Sequence, residues 1–211
     1  NANEPVTYGI RKMRLLTAQQ YINSVEDLGI AQAGELTRDD FVTDDFLIAN
    51  SYAPHSTTVV DSSRHFKFMT IAEELADSAA SRISNGCSSA SQCASRFNDF
   101  ATRIYRRPLT NQERADFTEI FNEFGDEGMA VALQTALMSP HFLYRSENGV
   151  SVSEARSNGN LGLQNVAGLN NADSNAYVLD AYEFATALAY MYTGSTPDQT
   201  LLQAAGNGGL N

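Results

Sequence analysis

The chain has 211 residues, 43% of them apolar, enough for one sizeable core or two small ones, which excludes wholesale disorder. Fourteen basic against twenty-five acidic residues give a net charge of −11. That sign argues against a nucleic-acid partner and against an anionic membrane surface. The basic residues are almost all arginine, with only Lys12 and Lys67 besides, and after Arg145 the only one is Arg156. No apolar run is long enough to span a membrane, so no transmembrane segment is expected. Asn1 is not a start residue, so the expectation is a removed leader or a chain cut from something longer.

In chain order, Thr17-Ala-Gln-Gln20 has the form of a capping box and opens a helix. Its apolar stripe is Tyr21, Ile22, Val25 and Leu28, and Gly29 sits where a helix usually stops. Residues 37–68 are irregular and read mainly as loop, with room for a short strand. Met69 to Ile83 is helical by its Ile71, Leu75, Ala79, Ile83 spacing. Cys87 and Cys93 are the only cysteines, in Cys87-Ser-Ser-Ala-Ser-Gln-Cys93 after Asn85-Gly86. Five intervening residues are too many for a thioredoxin-like pair, and no histidine follows either cysteine as covalent haem attachment requires. A local disulfide in an inter-helix loop is expected, and with it an oxidising compartment: secreted, periplasmic or cell surface.

Ala94 to Tyr105 forms the next helix. Thr110-Asn-Gln-Glu113 repeats the capping box after Pro108, and Phe117, Ile120, Phe121 and Phe124 follow at helical spacing. Met129 to Leu137 is a small, apolar helix that stops near Ser139-Pro140 and resumes through Phe142, Leu143 and Tyr144. Residues 148–176 are rich in Asn, Gly and Ser and read as a long polar loop or linker. Asp180-Ala-Tyr-Glu183 is a third capping box. Thr196-Pro197 reads as an N-cap followed by proline at the first helical position. The predicted fold is all-α: bundle-like multi-helix units with a long polar loop and one local disulfide. The units are an N-terminal helical unit over 1–84, a central disulfide-bearing unit over 85–147, the loop 148–176, and the start of a further helical domain over 177–211.

Three segments carry a family resemblance. They are Met13-Arg-Leu-Leu-Thr-Ala-Gln-Gln-Tyr-Ile-Asn-Ser-Val-Glu-Asp-Leu-Gly29, the stretch from Cys93 to Glu147, and the stretch from Leu179 to Leu210. Within the second, Tyr105-Arg-Arg-Pro-Leu-Thr110 and Ser139-Pro-His-Phe-Leu-Tyr-Arg145 are the most specific strings. Together they resemble the planctomycete-type multi-domain secreted proteins of unknown function, built from consecutive small helical domains and often fused to c-type cytochrome domains. The resemblance implies export and modular build, and a c-type haem in a partner domain. In that family the third domain continues further, so 177–211 looks like its beginning.

Candidate chemistry is sparse. His141 is a candidate haem-proximal ligand or acid/base. Arg103, Arg106 and Arg107, spaced i, i+3, i+4, are a candidate oxyanion site, or simply a cationic helix C-terminus with Asp99 as partner. Asp45, His55, Asp61 and His65 are weak metal-ligand candidates without a recognisable spacing. The acid pairs Asp39-Asp40, Asp44-Asp45 and Glu73-Glu74 suit a glycosidase pair or calcium, but adjacent acids on a solvated face are far commoner. Asp173 and Asn175 fail the EF-hand pattern. Tyr190-Met-Tyr192 offers sugar-stacking aromatics, although core packing is the commoner role. Nucleophile-elbow, dinucleotide and phosphate-loop motifs are absent.

No catalytic residue and no cofactor of its own are therefore expected in this chain. The reading is a non-catalytic interaction or structural module of a secreted or cell-surface multi-domain bacterial protein. Its partners are the remaining domains or neighbouring copies, packed on 177–205. The alternatives are an electron-transfer-associated module docking a c-type cytochrome domain, or part of a polysaccharide-active extracellular enzyme.

Overall fold

A computed structural model describes residues 12–41, 60, 62–157 and 176–210. The helices are α1 (Ala18–Asp27), α2 (Ser62–Ser84), α3 (Ala90–Ile104), α4 (Asn111–Phe124), α5 (Gly128–Met138), α6 (Pro140–Leu143), α7 (Val152–Ser157), α8 (Ala181–Tyr192) and α9 (Gln199–Gly206). Two short antiparallel ribbons join them. β1 (Lys12–Leu15) pairs with β2 (Tyr144–Glu147), Arg14 opposite Arg145, and β3 (Val150–Ser151) pairs with β4 (Tyr177–Val178). The fold is all-α, as its capped periodic segments require.

The capping boxes form as the sequence dictates. Thr17, Thr110 and Asp180 each accept a backbone N–H of the first turn, and Gln20, Glu113 and Glu183 reach back to them. At the other end of α1, Gly29 takes a left-handed φ of +74°. There Ile30 N–H donates to Val25 O at 2.9 Å and Gly29 N–H to Glu26 O at 2.9 Å, a complete Schellman closure.

The core is continuous from Leu15 to Leu143 and therefore runs across residues 84 and 85. Its centre is α5, whose Ala132, Leu133, Ala136 and Leu137 are fully buried beneath α2, α3 and α4. Small residues there let the helices approach closely. A Cβ at Gly128 would lie 2.9 Å from the Phe121 ring. At the α1 end, Tyr21 packs against Phe41, Phe68 and Phe142 with ring centroids 5.4, 5.6 and 5.2 Å apart. Aromatic contacts at these separations add to simple area burial.

The structure departs from the sequence pattern at four places. Helix α2 begins at Ser62 rather than Met69, because Phe68 continues the buried stripe of Ile71, Leu75 and Ala79. Residues 12–15 and 144–147 are strands, since each supplies the other's backbone partners. The stretch 148–176 is not all loop: β3 and α7 occupy 150–157 around a small core of Val152, Ala155 and Ala176, and 158–175 lie outside the described residues. Finally, α9 is capped by Asp198, which accepts Leu201 N–H at 2.7 Å, rather than by Thr196. The Thr196 hydroxyl instead donates to Arg103 O at 3.4 Å, and Pro197 is buried.

Cys87 and Cys93 are joined in a disulfide, with Cα atoms 5.2 Å apart, stapling the α2–α3 connection to the first turn of α3. Replacing both cysteines with serine should lower unfolding free energy by about 2 kcal/mol on the chain-entropy model. Urea denaturation checks this, and an unchanged midpoint would exclude the staple as a stabilising element.

Candidate functional site

The site is organised where α3 stops. Its last residue is Ile104, and the turn is closed by Arg107 N–H donating to Thr102 O at 3.1 Å. This places Arg106 in the position that usually carries glycine, and its φ is +58°. Arg106 and Arg107 therefore lie beyond the helix, and the expected i, i+3, i+4 helical cluster does not form. A left-handed non-glycine residue costs about 1 kcal/mol, so the side chain must offset it.

It does so by turning inward. Arg106 is 3% exposed. Its Nη2 donates to His141 O at 2.7 Å, Phe142 O at 2.9 Å and Tyr144 O at 2.8 Å, so two hydrogens serve three carbonyls. Those of α6 are otherwise orphaned at its C-terminus, where a cation is favoured. Nη1 donates to Tyr190 Oη at 3.0 Å. Tyr190 Oη lies 2.8 Å from Ser24 Oγ, which donates to Gln20 O at 2.6 Å. Because the Ser24 proton is used on Gln20, Tyr190 is the donor to Ser24. A directed chain thus runs from Arg106 through Tyr190 and Ser24 to α1. The guanidinium carbon also stands 5.6 Å from the Tyr190 ring and 5.7 Å from that of Phe142.

Outside this anchor lies a cavity of about 340 Å³ bordered by Tyr105, Arg107, His141, Asp180, Tyr182 and Glu183. Arg107 and Glu113 form a bidentate pair at 2.9 and 2.7 Å, and Glu113 also accepts Thr110 N–H at 2.7 Å. Those bonds, Arg107 first, hold the Glu113 carboxyl down at about 2. His141, half exposed, sits on this pair. Both ring nitrogens are 3.3 Å from Arg107 Nη2, and Nε2 is 3.4 Å from Glu113 Oε1. Burial and the Arg107 charge lower its pKa, against the pull of Glu113. The imidazole is thus neutral at neutral pH. Burial raises the Tyr105 and Asp180 pKa values. Chemically, the cluster presents a guanidinium–carboxylate pair beside an imidazole and a phenol.

Glu183 fastens the other wall. Its oxygens accept Ser146 Oγ–H at 2.6 Å, Gly149 N–H at 2.9 Å, Asn148 N–H at 3.2 Å and Asp180 N–H at 3.3 Å. Gly149 must be glycine: its φ is +64°, and a Cβ would lie 2.6 Å from Val178 O.

The remaining candidates do not border this cavity. Arg103 donates to Asp27 O at 3.2 Å and stacks on Phe100. Asp40 caps the turn Arg38–Asp40 by accepting Thr37 N–H at 2.7 Å, and Glu73 and Glu74 are exposed on α2. His65 is exposed near the start of α2, while Asp44, Asp45, His55, Asp61, Asp173 and Asn175 lie outside the described residues. Among the described residues, no group of three or more His, Cys, Asp or Glu is placed to hold a metal ion. Tyr190 is buried, and Met191 and Tyr192 are exposed. Sequence reasoning missed Tyr190 as the partner of Arg106, and found Asp180 and Glu183 only as helix caps.

Arg106→Gly should relieve about 1 kcal/mol of backbone strain yet destabilise the chain by about 3 kcal/mol net, because three carbonyls and a buried tyrosine hydroxyl lose a charged donor. Equal or greater stability in urea would show that backbone geometry, not the clamp, dominates. Glu113 has a folded pKa below its ordinary 4.5, so its stabilisation is present above that value and is lost as the pH falls toward about 2. Glu113→Gln should cost about 1 kcal/mol at pH 7 and flatten the acid limb of the stability profile. A wild-type-like acid limb in this variant would contradict the assignment.

Residues 92–147 match the family model described as PSD5, protein of unknown function (DUF1595), and residues 179–211 match that described as PSD4, protein of unknown function (DUF1592). No curated protein matches, and no solved structure matches. The Arg106–Tyr190 bond therefore joins one matched segment to the other, and both matches are to planctomycete-type domains, the kind that the sequence motifs resemble.

Proposed function

We propose that this chain is a non-catalytic interaction module of an exported multi-domain protein, with the outward face of α8 as its contact surface. The observation that carries this reading is the double-sided apolar character of α8. Its inner face buries Ala181, Ala185, Ala189 and Tyr190. Its outer face carries Phe184, Met191 and Tyr192, exposed at 40, 51 and 79%, with half-buried Leu188 between them. Positions 184, 188, 191 and 192 fall on one helical stripe. An exposed stripe of this size, continuous along a helix, is characteristic of a protein-contact surface.

Two consecutive matched segments support a modular build. The disulfide is compatible with an oxidising compartment. No helix among the described residues is long and apolar enough to cross a membrane. The occupant we favour is another domain of the same protein. Docking of a c-type cytochrome domain would be one form of that role, supported by the family resemblance. A spectrum of the full-length native protein without a Soret band would remove that form.

The chain alone should bind the dye ANS and self-associate with rising concentration in sedimentation velocity. Met191→Glu combined with Tyr192→Glu should abolish both, with the melting temperature unchanged within about 2 °C. A strictly monomeric wild-type chain that binds no dye would overturn the proposal.

A further inference from the structure

A further groove among the described residues lies between the α3–α4 region and α9, is bordered by none of the outward α8 stripe, and encloses about 380 Å³. That volume falls within the range of roughly 300–1,000 Å³ usual for small-ligand sites. One wall carries Arg103, Arg107 and Arg114, and the opposite wall Gln199, Gln203 and Asn207. Sequence spacing had grouped Arg106 with Arg103 and Arg107. The fold withdraws Arg106 into the interior and brings Arg114, one helix later, into its place.

These cations are unevenly committed. Arg107 is held by Glu113. Arg103 uses Nη2 on a backbone carbonyl, and its Nε is buried without a hydrogen-bond partner among the described residues. Three guanidinium groups face one lining carboxylate, Asp99, in a chain whose net charge is −11. The wall from α9 is neutral amide, and Asp198 next to it is spent on capping Leu201. Tyr182 and Leu202 complete the lining with an aromatic ring and an apolar side chain.

We infer that this groove binds an acidic saccharide, one oxyanion group flanked by hydroxyls. Planar guanidinium forks match a carboxylate or sulfate bidentately, whereas amides donate to and accept from hydroxyls. The apolar lining suits the C–H face of a sugar ring. The acidity of the whole chain opposes long, densely charged polymers and favours a sparsely charged one. The role is recognition, with no bond made or broken.

Titration calorimetry of the intact protein tests this with four probes: a uronic-acid oligosaccharide, a sulfated oligosaccharide, a neutral one of equal length, and inorganic sulfate. At least one acidic oligosaccharide should bind at least tenfold more tightly than the neutral one, and which of the two binds identifies the oxyanion. Raising the salt should weaken that binding. Arg114→Ala should weaken it at least tenfold, whereas Arg38→Ala, outside the groove, should leave it unchanged. Gln203→Ala should weaken the oligosaccharide but not inorganic sulfate. No preference for either acidic probe, or binding indifferent to Arg114→Ala, would overturn the inference. So would inorganic sulfate binding as tightly as the oligosaccharides.

Discussion

Among the described residues, the arrangement depends on one buried cation. Arg106 brings a full charge into the interior and surrounds it with the last carbonyls of α6, the first of β2 and the hydroxyl of Tyr190. An unpaired buried charge is costly by several kcal/mol, so the groups that satisfy it are held to one geometry. They come from three different elements. The α3 end must turn left-handed to aim the side chain, α6 must stop after one turn, and α8 must present Tyr190 inward. The chain through Ser24 extends the constraint to α1. The first helix and the central helices already share the large apolar core, and this polar network fastens the C-terminal pair to them.

That distinction shapes α8. The large core ends at Leu143, and α8 and α9 add only a small cluster of Ala181, Ala185 and Ala205. What docks them is polar: Tyr190 on Arg106, Glu183 on the β2–β3 turn, Thr196 on Arg103 O, and Asn23 Nδ2 donating to Gly194 O at 3.3 Å. Arg145 lies 4.9 Å from the Tyr190 ring and adds to that wall. Polar docking uses few side chains, so it leaves the apolar outer stripe of α8 uncovered. The same helix is thus fixed in position on one side and exposed on the other.

The sequence was most legible where local chemistry decides structure. Three capping boxes, the Gly29 stop, the periodic stripes of α1, α3 and α4 and the apolar run of α5 read correctly, because each depends on residues within one or two turns. The disulfide was legible because its two cysteines are close in sequence. Less visible were features set by distant partners. β1 and β2 are 133 positions apart along the salt bridge of Arg14 with Glu147, and no local pattern announces them. The same holds for Arg106. Its spacing from Arg103 and Arg107 read as a surface cluster, because the left-handed turn that withdraws it is stabilised only by carbonyls some 35 to 38 residues later. Arg114 enters the groove for the same reason in reverse: a turn between helices, not a helical period, places it there.

Arg106 and Tyr190 act on each other rather than separately. A double-mutant cycle with Arg106→Met and Tyr190→Phe, read by urea unfolding, measures that interaction directly. The expected coupling energy is about 1–2 kcal/mol. Single-variant effects that add to within about 0.3 kcal/mol would contradict the clamp and leave the C-terminal helices held by something else.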